Sequence, residues 1–276
     1  MKKLLLLSLI FYFSQTSHAQ IITTEADNPP LDGIVDRSEL NTNRALPYPP
    51  VRAADVLWEK RIWRVIDTRE KINLPFRYPQ QYLFTLLEDG IRSGELIAYD
   101  TENDNFTTPI PPKDLFEQLY RKDTVDVIDP VTGKITPREI VNAFDPDDIK
   151  RYRVKEIWYF DTKTSTHKVR ILGIAPLLKV ERELSGTSYE KPLFWIYYPH
   201  ARDYLAGFEA FNPTNDFGNR SWEDLFEMRM FSSFIMKESN VHDRRLSGYA
   251  SGRDLLLEGQ IIEAELFNRE QDVWSK

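Results

Sequence analysis

The chain contains no cysteine and little histidine or glycine, and these shortages remove several classes of function. Without cysteine among its 276 residues it has no disulfide, no thiolate nucleophile, no cysteine ligand for a metal and no cysteine for lipid attachment. Only four histidines and eleven glycines are present. We find neither a His-Glu-x-x-His metal motif nor a glycine-rich phosphate loop. The sequence therefore predicts no catalytic site, no metal and no cofactor.

One acidic segment invites a calcium interpretation. Asp145-Pro146-Asp147-Asp148 resembles the start of a calcium-binding loop. However, Ile149 and Lys150 stand where that loop needs a ligand and a turn glycine. We therefore interpret the segment as an acidic cluster at the N-terminus of a helix.

Long apolar runs are missing except at the N-terminus, where the run has the form of a secretory signal peptide. Met1-Lys2-Lys3 is a short basic segment, Leu4–Phe13 is almost entirely apolar, and Ser17-His18-Ala19 places small residues before Gln20. No other segment approaches the about 18 apolar residues that a spanning helix needs. We expect residues 1–19 to be cleaved and the protein to lie in the periplasm, without inserting into a membrane.

The charge balance is acidic. There are 36 basic and 43 acidic residues, and loss of Lys2 and Lys3 with the signal changes the net charge from −7 to −9. Nucleic acids and anionic lipids attract basic surfaces. The composition therefore argues against a nucleic-acid partner.

Residues 20–51 are expected to form an extended, Pro-rich N-terminal arm. Few large apolar side chains are present to offset the entropy of ordering this segment. It is either a disordered leader or an arm that becomes ordered against a neighbouring subunit. Leu46-Pro47-Tyr48-Pro49-Pro50 is the best anchor, because a stiff Pro-rich segment with one aromatic ring loses little entropy on docking.

Residues 52–276 are expected to form one globular α+β body, with an antiparallel β-sheet and flanking helices. Residues 52–120 are predicted to be mainly helical, 151–198 to be β-rich and 199–276 to be mainly helical. The predicted helices are Ala53–Thr68, Leu83–Arg92 (ending near Gly94), Pro112–Tyr120, Ser221–Met236 with Ser221 as N-cap, and Arg253–Asn268. The clearest β signal is a hairpin over Tyr152–Pro176, in which β-branched and aromatic runs flank a short polar turn.

Two segments of the body have similar amino-acid sequences. Leu57–Trp63 and Leu225–Phe231 share Leu, Glu and Arg at equivalent positions and have aromatic residues at two more. The match is either a coincidence between two amphipathic helices or a diverged internal duplication.

Aromatic residues make up 13% of the chain, and several adjoin arginine. Aromatic and arginine side chains dominate the energetic hot spots of protein interfaces, although many of these rings must also fill the core. Together with the arm anchor Leu46, Pro47, Tyr48, Pro49 and Pro50, the candidate interaction residues are Arg61, Trp63, Arg64, Arg77, Tyr78, Trp158 and Arg170.

The amino-acid sequence of the hairpin resembles that of the gliding-motility protein N family (GldN, called PorN in non-gliding relatives). The resemblance is carried by Glu156-x-Trp158-x-Phe160-Asp161, by Val-Arg-Ile-Leu-Gly-Ile-Ala-Pro over Val169–Pro176, by Leu193–Arg202 (LFWIYYPHAR), and by Leu57–Arg64. Together these segments span most of residues 52–234.

The resemblance implies a structural subunit of the type IX secretion machine. Its implied partners are a ring-forming outer-membrane lipoprotein (protein K), the periplasmic part of an inner-membrane protein (protein M), and further copies of itself in a ring. Two other functions stay open on the residues alone. They are a periplasmic hydrolase that uses paired carboxylates, and a carbohydrate-binding module that uses exposed aromatic rings.

Overall fold

The computed structural model describes residues 44–120, 122–128, 135–141, 144–181, 188–213, 215 and 220–274. The predicted signal peptide and residues 20–43 of the predicted arm lie outside the described residues. The strands and helices of the described part, in chain order, are β1 (Val56–Asp67), α1 (Leu83–Ser93), β2 (Ala98–Tyr99), α2 (Pro112–Leu119), β3 (Lys122–Ile128), β4 (Ile135–Val141), β5 (Arg151–Asp161), β6 (Thr166–Glu181), β7 (Ser188–Pro192), β8 (Trp195–Tyr197), α3 (Tyr198–Ala206), α4 (Trp222–Glu227), β9 (Phe234–Glu238) and α5 (Gly252–Trp274).

The predicted hairpin is confirmed as β5 and β6. Their antiparallel ladder runs from Asp161 opposite Thr166 to Arg151 opposite Leu177. A four-residue turn joins the strands and ends at Ser165, whose φ of 52° is left-handed. The polar run between two β-branched and aromatic segments was therefore a correct turn signal.

The hairpin forms the centre of a seven-stranded antiparallel sheet. The strand order is β2-β8-β6-β5-β1-β9, with β7 pairing beside β6. Strands β3 and β4 form a separate two-stranded sheet. Helices flank the main sheet, so the α+β fold with an antiparallel sheet is confirmed.

The predicted helix over Ala53–Thr68 is wrong, because this segment contains β1. The strand pairs with β5 on one side and with β9 on the other. Exposed and half-buried residues alternate over its first half, and its second half is buried throughout. Glu59, Lys60 and Arg61 are good helix formers, but two neighbouring strands supply contacts that outweigh this weak local preference. The prediction that residues 52–120 are mainly helical fails at this strand.

The predicted helix Ser221–Met236 is right only at its start. Ser221 caps α4 in a reciprocal capping box with Asp224. The helix ends at Glu227, shortly before Arg229 with a left-handed φ of 53°. The chain then enters β9, so the prediction that residues 199–276 are mainly helical fails at this edge strand. The interpretation of an internal duplication is also wrong, since its first copy lies in a strand and its second begins in a helix.

The remaining helix predictions are confirmed. Helix α1 ends at Gly94, whose φ of 83° suits the left-handed C-cap. Helix α2 begins with Pro112 in its first turn, and α5 contains the whole predicted segment Arg253–Asn268. No helix in the described ranges is long and apolar enough to cross a membrane.

Two apolar clusters attach helices to the sheet. The larger one packs side chains of α1 to α4 against β1, β5, β6 and β8, and its largest fully buried members include Trp222, Tyr152, Tyr198, Phe76 and Phe226. The smaller one attaches α5 through Ile262 and Leu266 to Ile62 of β1 and Ile235 of β9. Burial of such side chains stabilises each by about 1.5–3 kcal/mol.

Candidate interaction site

The described end of the N-terminal arm lies against the chain's own body. Residues 44–50 are extended and have no regular secondary structure. The amide of Ala45 donates to Asp203 Oδ1 at 3.1 Å, and Nη2 of Arg170 donates to the carbonyl oxygen of Pro49 at 2.7 Å. The arm is therefore held to the body on both sides of Tyr48.

Tyr48 makes most of the contacts of this anchor. Its ring centroid lies 3.9 Å from the guanidinium carbon of Arg202 and 4.7 Å from that of Arg170. Its hydroxyl donates to Glu227 Oε1 at 2.5 Å. Burial, and then the carboxylate of Glu227, raise the pKa of Tyr48 far above its ordinary value. The ring is thus bound on its face by cations and at its tip by an anion.

The surface that receives Tyr48 is built by α3 and α4. Glu223 and Glu227 lie four residues apart and so share one side of α4. Arg202 of α3 donates to Glu223 at 2.6 Å and lies 3.6 Å from Glu227. Burial raises the pKa of Glu223 even though Arg202 opposes this shift. We call the residues Ala45, Tyr48, Pro49, Arg170, Arg202, Asp203, Glu223 and Glu227 the arm clasp.

The chemistry of the arm clasp is that of polypeptide binding. Both acids of the clasp already have partners, because Glu223 accepts from Arg202, and Glu227 accepts from Tyr48 and forms an ion pair with Arg202. Across the described residues, no group of three His, Cys, Asp or Glu side chains is arranged to hold a metal ion. The predicted acidic cluster also has a structural role: Asp145 caps a short helix turn and Asp147 pairs with Arg77.

The structure brings the predicted residues of the arm together with one predicted residue of the body. Tyr48 and Pro49 meet Arg170 in the arm clasp. Leu46 is 81% exposed and contributes an accessible apolar side chain beside it. The anchor that the sequence indicated is therefore docked within one chain, whereas its predicted contact with a neighbouring subunit stays a prediction.

Arg64 and Trp158 come together at a second place, around Glu156. This carboxylate is fully buried, and Arg229 lies 2.9 Å from it and Arg64 3.4 Å. The indole of Trp158 donates to the same carboxylate at 3.1 Å, and its ring centroid lies 6.0 Å from the guanidinium carbon of Arg64 and 5.8 Å from that of Arg229. Because the site is internal, its main physical role is to neutralise a buried charge.

The other predicted residues lie apart from one another. Trp63 is buried, and its indole donates to Asp104 at 2.5 Å. Arg61 is exposed and lies 3.5 Å from Glu59. Tyr78 stacks on Phe211 with ring centroids 4.2 Å apart, and the neighbouring Arg77 forms the ion pair with Asp147 described above. These residues do not form one surface.

Sequence reasoning missed four of the five clasp residues that belong to the body. Arg202, Asp203, Glu223 and Glu227 received no role, because they meet Tyr48 only after α3 and α4 have packed. One signal was present. The capped helix after Ser221 carries two glutamates at a spacing of four, which marks an acidic stripe that needs a cationic partner.

The model of the family "Gliding motility associated protein GldN" matches residues 51–275. The chain belongs to the GldN family. Its members are structural components of the gliding-motility and type IX secretion machinery. No curated protein matches the sequence. The family match begins directly after the docked anchor, so it covers the body and leaves residues 20–50 of the arm outside.

Proposed function

We propose that this GldN protein is a non-enzymatic periplasmic structural subunit of the type IX secretion and gliding-motility machine. It assembles into a ring with an outer-membrane lipoprotein of the protein K type. It also contacts the periplasmic part of an inner-membrane motor protein of the protein M type. The observation that carries this proposal is the apolar surface that the folded body leaves exposed along α5.

Helix α5 presents apolar side chains on more than one side. Ile262 and Leu266 face the sheet and are buried. Leu257, Ile261 and Phe267 are exposed, as is Leu256 near the start of the helix. A helix that only covered its own sheet would carry polar residues on its outer side. Exposed apolar surface of this kind marks a contact with another protein.

The absence of a free acid pair in the clasp supports a structural role over a hydrolase. Glu223 and Glu227 are both engaged by basic or phenolic groups, as described above. A glycosidase instead needs two carboxyl groups that flank a substrate bond. The stacking of Tyr78 on Phe211 likewise covers one face of each ring, which a sugar would otherwise use. A carbohydrate-binding module is therefore less well supported.

The compartment follows from the N-terminal sequence. The Lys–apolar–Ala19 pattern and the missing cysteine together predict export without lipid attachment. Intact-mass spectrometry of the natural product should give a chain that begins at Gln20 and carries no acyl group. A retained Met1 or an attached lipid would refute this part of the proposal.

Affinity capture from detergent-solubilised envelopes tests the assembly. The tagged chain should bring down one outer-membrane lipoprotein and one inner-membrane protein with a large periplasmic part. Leu257→Asp with Ile261→Asp should reduce this recovery, because it places charge in the proposed apolar contact. Glu265→Gln, also exposed on α5, is the matched control and should not. Recovery of the chain alone, under conditions in which large envelope complexes survive, would overturn the proposal.

Mutual stabilisation gives a second test in the cell. A partner that binds only the folded state stabilises it by mass action. Deletion of the lipoprotein gene should therefore lower the steady-state level of this protein without lowering its transcript. Unchanged abundance would argue against obligate assembly.

A further inference from the structure

A cavity of about 790 Å³ lies on the sheet beside the start of α5. Its floor and walls come from five strands, from the segment before α5 and from the first turns of that helix. Its lining is formed by Val65, Arg69, Arg151, Arg153, Lys179, Tyr189, Glu190, Phe234, Met236, Arg245, Ser247, Gly252, Leu255 and Leu256. We call it the cationic pocket, because five basic side chains and one acidic side chain line it.

Two of the basic side chains have no acidic partner within the part of the chain that the structure describes. Arg151 pairs with Asp67 and Glu190. By contrast, Arg153 and Arg245 take part in no ion pair with any described residue. Arg153 is only 7% exposed, and its Nε has no hydrogen-bond partner in the described part of the chain. A buried guanidinium without a carboxylate is costly, so its presence here points to an anion that binds it.

The electrostatics around Arg153 agree with this geometry. Burial, and then the charge of Arg245, lower the pKa of Arg153 to about 10, against smaller opposing effects of Glu190 and Asp104. The N-terminal end of α5 also lines the pocket at Gly252, where the helix dipole favours negative charge. The site is thus basic within a protein whose net charge is −7.

Apolar side chains occupy the rest of the lining. Phe234 and Met236 come from the edge strand β9, and Leu255 and Leu256 from α5. A free inorganic anion would leave these side chains in contact with water. A polypeptide segment that combines acidic and apolar residues satisfies both parts of the lining.

The chain carries one segment of this composition, in the part of the arm before the clasp. Residues 20–43 contain five acidic residues and one basic residue. Leu31-Asp32-Gly33-Ile34-Val35-Asp36 combines two carboxylates with three apolar side chains. The segment is tethered at Ala45, and its 24 residues can span up to about 80 Å when extended. It is therefore long enough to reach a neighbouring subunit.

We propose that the cationic pocket receives the acidic segment around Asp32 and Asp36 from the N-terminal arm of a neighbouring copy of this chain. The arm clasp fixes where the arm leaves its own body, and the pocket is where it binds the next one. One arm and one pocket per subunit give a head-to-tail contact. Subunits joined in this way close into a ring when the rotation between neighbours permits it. This inference rests on the proposed ring-forming function and names the contact between subunits.

Charge exchange in the chain from Gln20 onward tests the contact, with assembly measured by sedimentation velocity, alone and with the co-expressed lipoprotein. The pocket variant is Arg153→Glu with Arg245→Glu, and the arm variant is Asp32→Lys with Asp36→Lys. Each should raise the concentration needed for half-assembly at least about tenfold, because like charges then face each other. Both pairs in one chain should recover most of the loss. Lys113→Glu with Lys150→Glu, at exposed positions, controls for net charge.

Mixing distinguishes a neighbour's arm from the chain's own arm. A pocket variant and an arm variant, combined, should recover the large assemblies that neither forms alone, since each arm then meets a pocket of complementary charge only on the other variant. If the chain that carries both the pocket and the arm substitutions becomes compact again only as a monomer, the arm binds the pocket of its own chain and the proposal is wrong. Arg153→Met with Arg245→Met, checked by circular dichroism, should weaken assembly without introducing new charge.

Two further outcomes separate this inference from the proposed function. If the pocket variants capture the lipoprotein and the inner-membrane protein normally and also self-assemble normally, the inference is overturned while the function stands. If they self-assemble normally but lose the lipoprotein, the pocket binds that partner instead, and the inference is again overturned. If the natural sequence captures neither protein, the proposed function itself has failed.

Discussion

The guanidinium carbon of Arg202 lies 3.9 Å from the ring centroid of Tyr48, and the hydroxyl of the same tyrosine donates to Glu227. One side chain of the arm thus joins α3 to α4 across their polar sides. Because Arg202 is itself held by Glu223, the surface that binds Tyr48 is organised by its own ion pair. This arrangement holds residues 44–50 against the body.

Tyr48→Ala should release residues 44–50 without unfolding the body. The ring supplies the cation–π contacts and the hydrogen bond, together about 1–3 kcal/mol. Hydrogen exchange of this segment should therefore accelerate at least about tenfold, with little change in the melting of the body. Tyr48→Phe, which keeps the ring, should have a smaller effect, and Leu46→Ala should have none. Equal protection in all four proteins would show that Tyr48 does not hold the arm.

Docking of the arm should persist to high pH. The folded-state pKa of Tyr48 is raised above the unfolded value, so its contribution is complete below about pH 10 and is lost only as the pH rises through the higher folded value. Glu227 opposes ionisation, and Arg202 and Arg170 favour it. The difference in tyrosinate absorbance between the natural protein and Tyr48→Phe should show a group that titrates later than free tyrosine. A midpoint near 10 would contradict the docked position.

Glu156→Gln should destabilise the protein by about 3–5 kcal/mol, because it leaves Arg64 and Arg229 close together without their shared carboxylate. Denaturant unfolding measures this loss. Glu59→Gln removes an exposed carboxylate 3.5 Å from Arg61, and a surface pair of this kind contributes less than about 1 kcal/mol. Similar effects of the two substitutions would refute the internal role of Glu156.

Arg153→Met should stabilise the isolated protein at pH 7 while it weakens assembly. The pKa of Arg153 is lowered to about 10, so folding disfavours its charged form. This cost is present at neutral pH and is relieved as the pH rises through about 10. The expected gain is about 1–3 kcal/mol in the free energy of unfolding. Arg61→Met at the surface should change stability by less than about 0.5 kcal/mol. Loss of stability in Arg153→Met would show that the arginine is satisfied within its own chain.

Gly173→Ala should destabilise the hairpin, because the ring of Phe106 lies directly over the glycine and a Cβ there would overlap it. The carbonyl oxygen of Ile196 lies 3.2 Å from the same Cβ position. Overpacking of this kind typically costs about 1–3 kcal/mol. Addition of Phe106→Ala should recover part of the loss in denaturant unfolding. Gly248→Ala, where nothing lies within 4 Å, is the control. A neutral Gly173→Ala would show that Phe106 moves aside without cost.

Local signals predicted those parts of the fold whose partners are close in sequence. The hairpin, the Gly94 C-cap and the capping box at Ser221 each depend on residues a few positions apart. The errors occurred where partners are distant. Strand β1 is specified by β5 and β9, which are formed by residues about 90 or more positions away. Its charged helix-forming residues therefore misled a local interpretation. Strand β9 was missed for the same reason.

The sequence alone determined the family, the α+β class, the hairpin and the anchor at Leu46–Pro50. Composition, short-range patterns and the segments that resemble the family contain that information. Only the tertiary structure decided what the anchor contacts and that Arg153 is buried without an ion pair to any residue that the structure describes. Both depend on side chains that long-range packing brings together. Burial also decides how a charge affects stability. A paired arginine at the surface and an unpaired arginine in the interior look identical in the sequence, but they contribute very differently to the free energy of folding.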